Sequence, residues 1–242
     1  MVKDYRISIP FFEFGPKNYM YGDQLLDLVE AMDGLAQKYD MDVLVDVQTT
    51  DLRLIAQNTS SRIHVFAQHM DPVCIGRGMG QILPEAVKAT GAVGVMLNHA
   101  EHKMPLEQIR KAIARADEIG LATIVCSSSE AEILAVAEMR PNIVVAEPSD
   151  LIGTGVSVSR EYVETCIHLV KSVDPRILVL PSAGIACGQD CYHIIKAGAD
   201  ASGSSSAICK APNPAAMAEE MMEAVRCAYD EREAKNEIPV GG

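Results

Sequence analysis

The chain has 242 residues, of which 21 are basic and 33 acidic, for a formal net charge of −12. That length excludes a disulfide-stapled mini-protein and leaves one large domain or two small ones, while the acidic balance, with no Lys/Arg block, excludes a protein that coats nucleic acid. Hydrophobic residues make up 48% and charged residues 22%, as in an ordinary globular protein; no apolar run reaches membrane-span length, and the opening MVKDYRISIP lacks the apolar core of a signal peptide.

The first β-branched and aromatic run is Arg6–Phe14, followed by a helix-period stretch, Gln24–Tyr39, with Leu25, Leu28, Val29, Met32 and Leu35 at spacings of three and four. Strand Asp42–Val47 and helix Asp51–Asn58 come next, then strand Ile63–Ala67, the long loop Gln68–Gln81 and helix Pro84–Thr90. Strand Val93–Leu97 precedes helix Leu106–Ile119, and strand Ala122–Cys126 precedes helix Glu130–Met139. The alternation continues with strand Asn142–Ala146, helix Arg160–Val173, strand Arg176–Leu180 and helix Gln189–Ala197. A weak strand near Asp200–Ser204 and helix Pro214–Tyr229 finish it, the helix carrying Met217, Met221, Val225 and Ala228 on one core-facing stripe. The seven cysteines, at 74, 126, 166, 187, 191, 209 and 227, form no CxxC pair. An odd, scattered set is expected to stay reduced, as in a cytoplasm.

Strands alternating with helices predict βαβ units and a parallel sheet, since parallel strands need a crossover. Eight such units in this length predict a single-domain TIM-type (β/α)8 barrel over 1–230, with 231–242 as a frayed tail. An open doubly wound sheet is the competing arrangement, but Gly15-Pro16-Lys17-Asn18 after the first strand is not a dinucleotide loop.

A barrel of this kind puts its chemistry on the loops after the strands. There stand Lys17, then Gln48 and Asp51, then His69 and Asp71, then Asn98, His99, Glu101 and His102. Glu147-Pro148, Ser182-Ala183-Gly184 and Ser204-Ser205-Ser206 follow. A cation, a histidine and a glutamate at one mouth suit proton transfer beside a carbonyl. The carboxylate takes the proton from carbon, the imidazole polarises the carbonyl and the ammonium holds the developing charge. Each also has a bland reading: Glu147 as a helix cap, His99 as a loop histidine, Lys17 as a solvated charge. His64, His69, His99 and His102 invite a metal reading, but His64 lies inside a strand and no carboxylate stands at a ligand spacing. The segment 148–155 has a proline at one end and two glycines at the other, as a flap that excludes water would. Ala183-Gly184 and the serines 204–206 offer backbone N–H groups and hydroxyls for an anion such as phosphate.

At VFAQHMDP (65–72), LPEAVKATGAVGVMLNHAE (83–101), AEPSDLIGTG (146–155) and Ala183-Gly184-Ile185 followed by Gly188-Gln189-Asp190, the sequence resembles the triosephosphate isomerase family, in particular its short archaeal-type branch. The resemblance runs from about Val65 to the last helix and more loosely over the first two strands. It implies His99 as electrophile and Glu147 as proton acceptor. It also implies a phosphate grip that includes Ile152, Gly153, Gly184, Ser205 and Ser206, a lid over 148–155, Glu101 as partner of the active-site lysine with Asn98 beside it, and no cofactor or metal.

Three departures stand out. The family's Asn-x-Lys after the first strand is replaced by Glu13-Phe14-Gly15-Pro16-Lys17, strand eight is polar (Ala201–Ser206), and Ala100 follows the histidine where the family has serine. Lys17 takes the lysine's place, with Glu13 where an amide is expected. The reading is therefore a cytoplasmic isomerase that interconverts glyceraldehyde 3-phosphate and dihydroxyacetone phosphate, a homodimer or homotetramer through the 68–81 loop. An isomerase of another short sugar phosphate, such as a tetrulose phosphate, and a non-catalytic phosphate-binding barrel are the alternatives. No nucleic acid or membrane partner is expected.

Overall fold

The computed structural model describes residues 1–2, 4–152 and 154–236. Eight strands run in chain order: β1 (Phe11–Phe14), β2 (Asp42–Val47), β3 (Ile63–Ala67), β4 (Gly94–Leu97), β5 (Ala122–Ser127), β6 (Ile143–Ala146), β7 (Leu178–Pro181) and β8 (Ala201–Gly203). Between and after them lie α1 (Gly22–Lys38), α2 (Leu52–Asn58), α3 (Pro84–Lys88), α4 (Leu106–Ile119), α5 (Glu130–Ala137), α6 (Arg160–Val173), α7 (Gly188–Lys196), α8 (Ser206–Cys209) and α9 (Pro214–Asn236).

Side chains alternate across a strand, so each strand supplies two cores. Phe12 and Phe14 of β1, with Val43, Val45 and Val47 of β2, pack outward in the core shared with helix residues such as Leu25, Val29 and Met32. Phe11, Leu44, Phe66, Met96, Ile124, Val145, Leu180 and Ala201 form the second, inner core. All ladders are parallel: β1 through β7 pair in sequence, and β1 also pairs with β8, Glu13 standing opposite Gly203. Among the described residues β7 and β8 share no ladder. Asp200 joins them instead, its N–H donating to Val179 O (3.2 Å) and its carboxylate accepting from Val179 N (2.8 Å) and Lys171 Nζ (2.9 Å). The result is a nearly closed (β/α)8 barrel of one domain.

Several boundaries differ from expectation. Strand β1 starts at Phe11 rather than Arg6: Pro10 has no N–H to give a ladder, and Tyr5 and Ile7 instead pack against the inner core. The one-turn helix α8 begins at Ser206 and is too short to show a periodicity. The tail expected to fray from residue 231 is helical through Asn236. Arg232 Nη1 donates to Ile195 O and Ala199 O, both at 2.9 Å, and Glu231 accepts from Tyr192 Oη (2.6 Å) and pairs with Lys196 (3.2 Å). Residues 237–242 lie outside the described residues. All seven cysteines are free thiols, and among the described residues no helix is long and apolar enough to cross a membrane.

Candidate active site

At the C-terminal ends of the strands a cavity of about 750 Å³ opens, lined from every strand-end loop except that after β5, with Cys126 of β5 itself on its wall. Its size is that of a small-molecule site.

The loop after β1 brings in Lys17. Pro16–Tyr19 form a turn that closes with Tyr19 N–H donating to Pro16 O (3.0 Å), and within it Lys17 holds a left-handed φ of 49°. Gln68 Nε2 fixes this conformation from β3, donating to Lys17 O (3.1 Å) and to Asp46 O (3.0 Å). The Lys17 ammonium donates to Glu101 Oε1 at 2.7 Å. Burial works against the Glu101 charge, but the ammonium outweighs it and holds that carboxyl below its usual range.

The loop after β4 is pinned by Asn98, itself buried and left-handed (φ 60°). Its amide donates to Cys126 O and Glu132 Oε1, both at 2.8 Å, and its oxygen accepts from Met104 N (2.9 Å). Asn98 thus shapes the loop from behind. His99 next to it lines the cavity, and its Nδ1 accepts from the Glu101 N–H at 3.1 Å. An N–H can only donate, so the ring proton sits on Nε2, which lies 3.8 Å from Glu147 Oε2. Burial first, then the Lys17 charge, lowers the His99 pKa to about 4, leaving a neutral imidazole at physiological pH. Glu147, at the end of β6, is shifted the other way: burial raises it, Lys17 opposes and Glu101 adds. A carboxylate of raised proton affinity beside a neutral imidazole suits a proton shuttle.

Beyond Glu147, Ile152, Thr154 and Gly155 line the cavity; Gly153 lies outside the described residues. Opposite stands Gly184, with φ 70°. A Cβ there would lie 1.9 Å from Val156 O, so only glycine lets the β7 loop approach the backbone beyond the flap. The start of α7 is already committed: Asp190 accepts from Ala186 N (2.9 Å) and Cys187 N (3.2 Å), and Glu220 accepts from Gly188 N (2.9 Å). Ser205 and Ser206 also line the cavity, and the buried Ser205 Oγ meets no hydrogen-bond partner among the described residues.

The structure thus brings Lys17, Gln48, His69, His99, Glu101, His102, Glu147, Ile152, Ser182, Ala183, Gly184, Ser204, Ser205 and Ser206 to one mouth. Other strand-end residues serve the scaffold. Asp51 accepts from Gly22 N (3.2 Å), and Asp71 closes the base of the 68–81 loop by accepting from Ile82 N (2.7 Å). The histidines divide: His64 bonds Tyr5 Oη (3.2 Å) at the barrel's other end, whereas the His69 and His102 rings stack 4.2 Å apart at the mouth. Asp46 escaped the sequence reading altogether. It is the second acid of β2, after Asp42 at its start, and stands two residues from the inward Leu44, a parity that places it inside the barrel. Glu13, two residues from the inward Phe11, joins it there, and both line the cavity.

Comparison with known proteins gives a consistent picture. The family model described as Triosephosphate isomerase matches residues 16–189, well over half of the chain. The model described as Thiazole biosynthesis protein ThiG matches residues 143–239, a smaller part that begins at β6. The chain is 33% identical over 214 residues to a triosephosphate isomerase of Sulfolobus acidocaldarius, spanning 88% of this chain and 92% of that protein. It is 36% identical over 196 residues to one of Methanobacterium bryantii, covering 80% and 86% of the two chains. To one of Metallosphaera sedula it is 30% identical over 230 residues, covering 94% and 100%.

Proposed function

The chain belongs to the triosephosphate isomerase family, and from that premise we propose that it interconverts glyceraldehyde 3-phosphate and dihydroxyacetone phosphate through an enediolate. The observation that carries the reading is the facing of His99 Nε2 and Glu147 Oε2 at 3.8 Å beside the Lys17 ammonium. Glu147 takes the proton from the carbon next to the carbonyl and returns it to the neighbouring carbon. The Nε2–H of neutral His99 donates to the carbonyl oxygen and then to the hydroxyl oxygen as charge moves between them. Lys17 stabilises the enediolate's negative charge, while Glu101 holds the ammonium in place and, through its backbone N–H, keeps the His99 proton on the reacting side. Every atom moved belongs to the substrate or to these side chains.

The substrate phosphate sits between Gly184, Ser205, Ser206 and the flap that contains Ile152 and Gly153. Support comes from the unpartnered Ser205 hydroxyl and from the occupied α7 N-terminus, which shifts the free donors toward β8. Backbone N–H groups and hydroxyls bind the anion without requiring a basic surface. The protein works in the cytoplasm as a homo-oligomer; Ile75 (76% exposed) and the fully exposed Met79 on the 68–81 loop are the apolar side chains that a second copy would cover.

The test is a dehydrogenase-linked assay of triose phosphate isomerisation with Glu147→Gln as control. Turnover in the wild type that falls by about 10²–10⁴-fold in the variant is expected. Turnover that survives the substitution sinks the mechanism.

A further inference from the structure

Two carboxyl groups lie on the floor of this cavity with no role in the chemistry above. Glu13 is 8% exposed and Asp46 1% exposed, and both line the cavity. Neither Asp46 oxygen meets a hydrogen-bond donor among the described residues. Its neighbour is the Glu13 carboxyl, and two carboxyl groups can hydrogen-bond only when one keeps a proton. Burial and their mutual proximity provide it, raising Glu13 to about 7 and Asp46 well above its ordinary value. The Lys17 ammonium, whose charge opposes the rise at Glu13, is committed to Glu101.

Gly203 stands opposite Glu13 in the β1–β8 ladder, where a Cβ would lie 2.1 Å from Glu13 O and 2.8 Å from Glu13 Oε2, so the glycine lets both the strand and the carboxyl approach. A Cβ on Gly15 would lie 3.0 Å from Glu13 Oε1. The Glu13 carboxyl therefore lies between the end of β1, which leads to Lys17, and the end of β8, which leads to Ser205 and Ser206. That is the span between the groups that move protons and those proposed to hold phosphate. An apolar residue or an amide there would be the ordinary way to avoid a buried negative charge. A proton shared by the pair still leaves carboxyl oxygens as acceptors on the cavity wall, and the donors a sugar phosphate brings are hydroxyl groups.

We propose that Glu13 and Asp46 form a hydroxyl-binding subsite that admits an aldose or ketose phosphate one CHOH unit longer than a triose, giving the barrel a second activity on four-carbon sugar 4-phosphates. This rests on the Glu147/His99 chemistry proposed above. The step is the same: the C2 proton passes to Glu147 and returns to C1, a hydroxyl proton passes from O2 to O1, and the composition is unchanged. The added C3 hydroxyl lies between the reacting carbons and the phosphate and donates to the carboxyl pair.

The test measures kcat/KM for erythrose 4-phosphate and for glyceraldehyde 3-phosphate in the wild type, Glu13→Gln, Asp46→Asn and Glu147→Gln. In parallel, Ki is measured for erythritol 4-phosphate and glycerol 3-phosphate, which bind without reacting. The wild type is expected to turn over the tetrose phosphate and to bind erythritol 4-phosphate the tighter of the two. The tetrose-to-triose ratio and the Ki preference should both fall about fivefold or more in Glu13→Gln and in Asp46→Asn, since a neutral amide is the weaker acceptor. Glu147→Gln should depress both substrates together and leave the Ki preference in place. Triose turnover without tetrose turnover, or a ratio unmoved by both floor variants, overturns the subsite. Loss of neither activity in Glu147→Gln instead overturns the isomerase chemistry beneath it.

Discussion

The backbone N–H of Glu101 donates to His99 Nδ1 at 3.1 Å, and this one bond decides which face of the imidazole carries the proton. Because the donor is main chain, no substitution at 101 other than proline removes it.

The first prediction follows for His99. With its pKa lowered to about 4 by burial and by Lys17, the ring is neutral through the range where an ordinary histidine titrates. Nitrogen NMR of the labelled imidazole should show a single Nε2-protonated tautomer from pH 5 to 8. The stability sign is fixed as well: between the unfolded pKa of about 6.5 and the folded value the unfolded chain binds more protons. The contribution of His99 to stability is complete above that window and is lost as pH falls through it. A ring that titrates near 6.5 in the native protein contradicts this.

Lys17 and Glu101 should behave as a unit. Lys17→Met removes the enediolate's cation, whereas Glu101→Gln leaves the cation but releases its tether. A double-mutant cycle on kcat/KM should therefore be non-additive, with the double variant about as impaired as Lys17→Met alone. Losses that simply add would show that the 2.7 Å pair does not position the ammonium.

Gly184→Ala places a methyl 1.9 Å from Val156 O and asks alanine to hold φ 70°. The backbone after the flap must then move away. We expect kcat/KM to fall by about 10²-fold, as for a misplacement of roughly 1 Å near reacting groups, together with faster proteolysis within 148–157. Normal activity in this variant would mean that the close approach has no part in catalysis.

Met79→Glu tests the proposed oligomer. A charge on that exposed side chain should shift sedimentation toward the monomer, leaving the folded barrel intact, because the base of the loop is held elsewhere by Asp71–Ile82 and by Arg115 Nε donating to Val73 O (3.1 Å). An unchanged sedimentation profile argues against the 68–81 loop as the contact.

The contribution of the buried Glu13 to stability should fall as pH rises. Its folded pKa, raised to about 7 by burial, exceeds the unfolded value, so the folded chain holds the extra proton between about 4.5 and 7. That stability is present below the window and lost across it. Over this range His99 gains stability while Glu13 loses it, so the melting temperature of the wild type minus that of Glu13→Gln should decline with pH. Equal slopes in the two proteins would place Glu13's titration elsewhere.

How much of this could be read from residues alone depends on period. Strands β2 and β3 were predicted to the residue because β-branched runs with clear ends fix both limits, as in Asp42–Val47 and Ile63–Ala67. His99, Glu101 and Glu147 were legible because a closed barrel gathers strand ends whatever their separation in sequence. The floor acid Asp46 was not, since an acid inside VLVDV counts as a flaw in a strand pattern until the inward parity of Leu44 and Phe66 is known. The tail misled for the opposite reason. Its charges resemble a solvated run, yet Arg232 and Glu231 reach back to the carbonyls and side chains of α7 and the turn before β8.

Among the described residues β7 and β8 share no ladder, which leaves a seam in the barrel wall bridged by Asp200 at one end. Gly184 extends from one bank of that seam and Ser205 from the other. A phosphate held by both would act as the clasp at the open end, so substrate capture and tightening of the wall become one mechanical event. Such a ligand would meet the wall where two neighbouring strands share no ladder, and hydrogen exchange along β7 and β8 should slow most when inorganic phosphate is added.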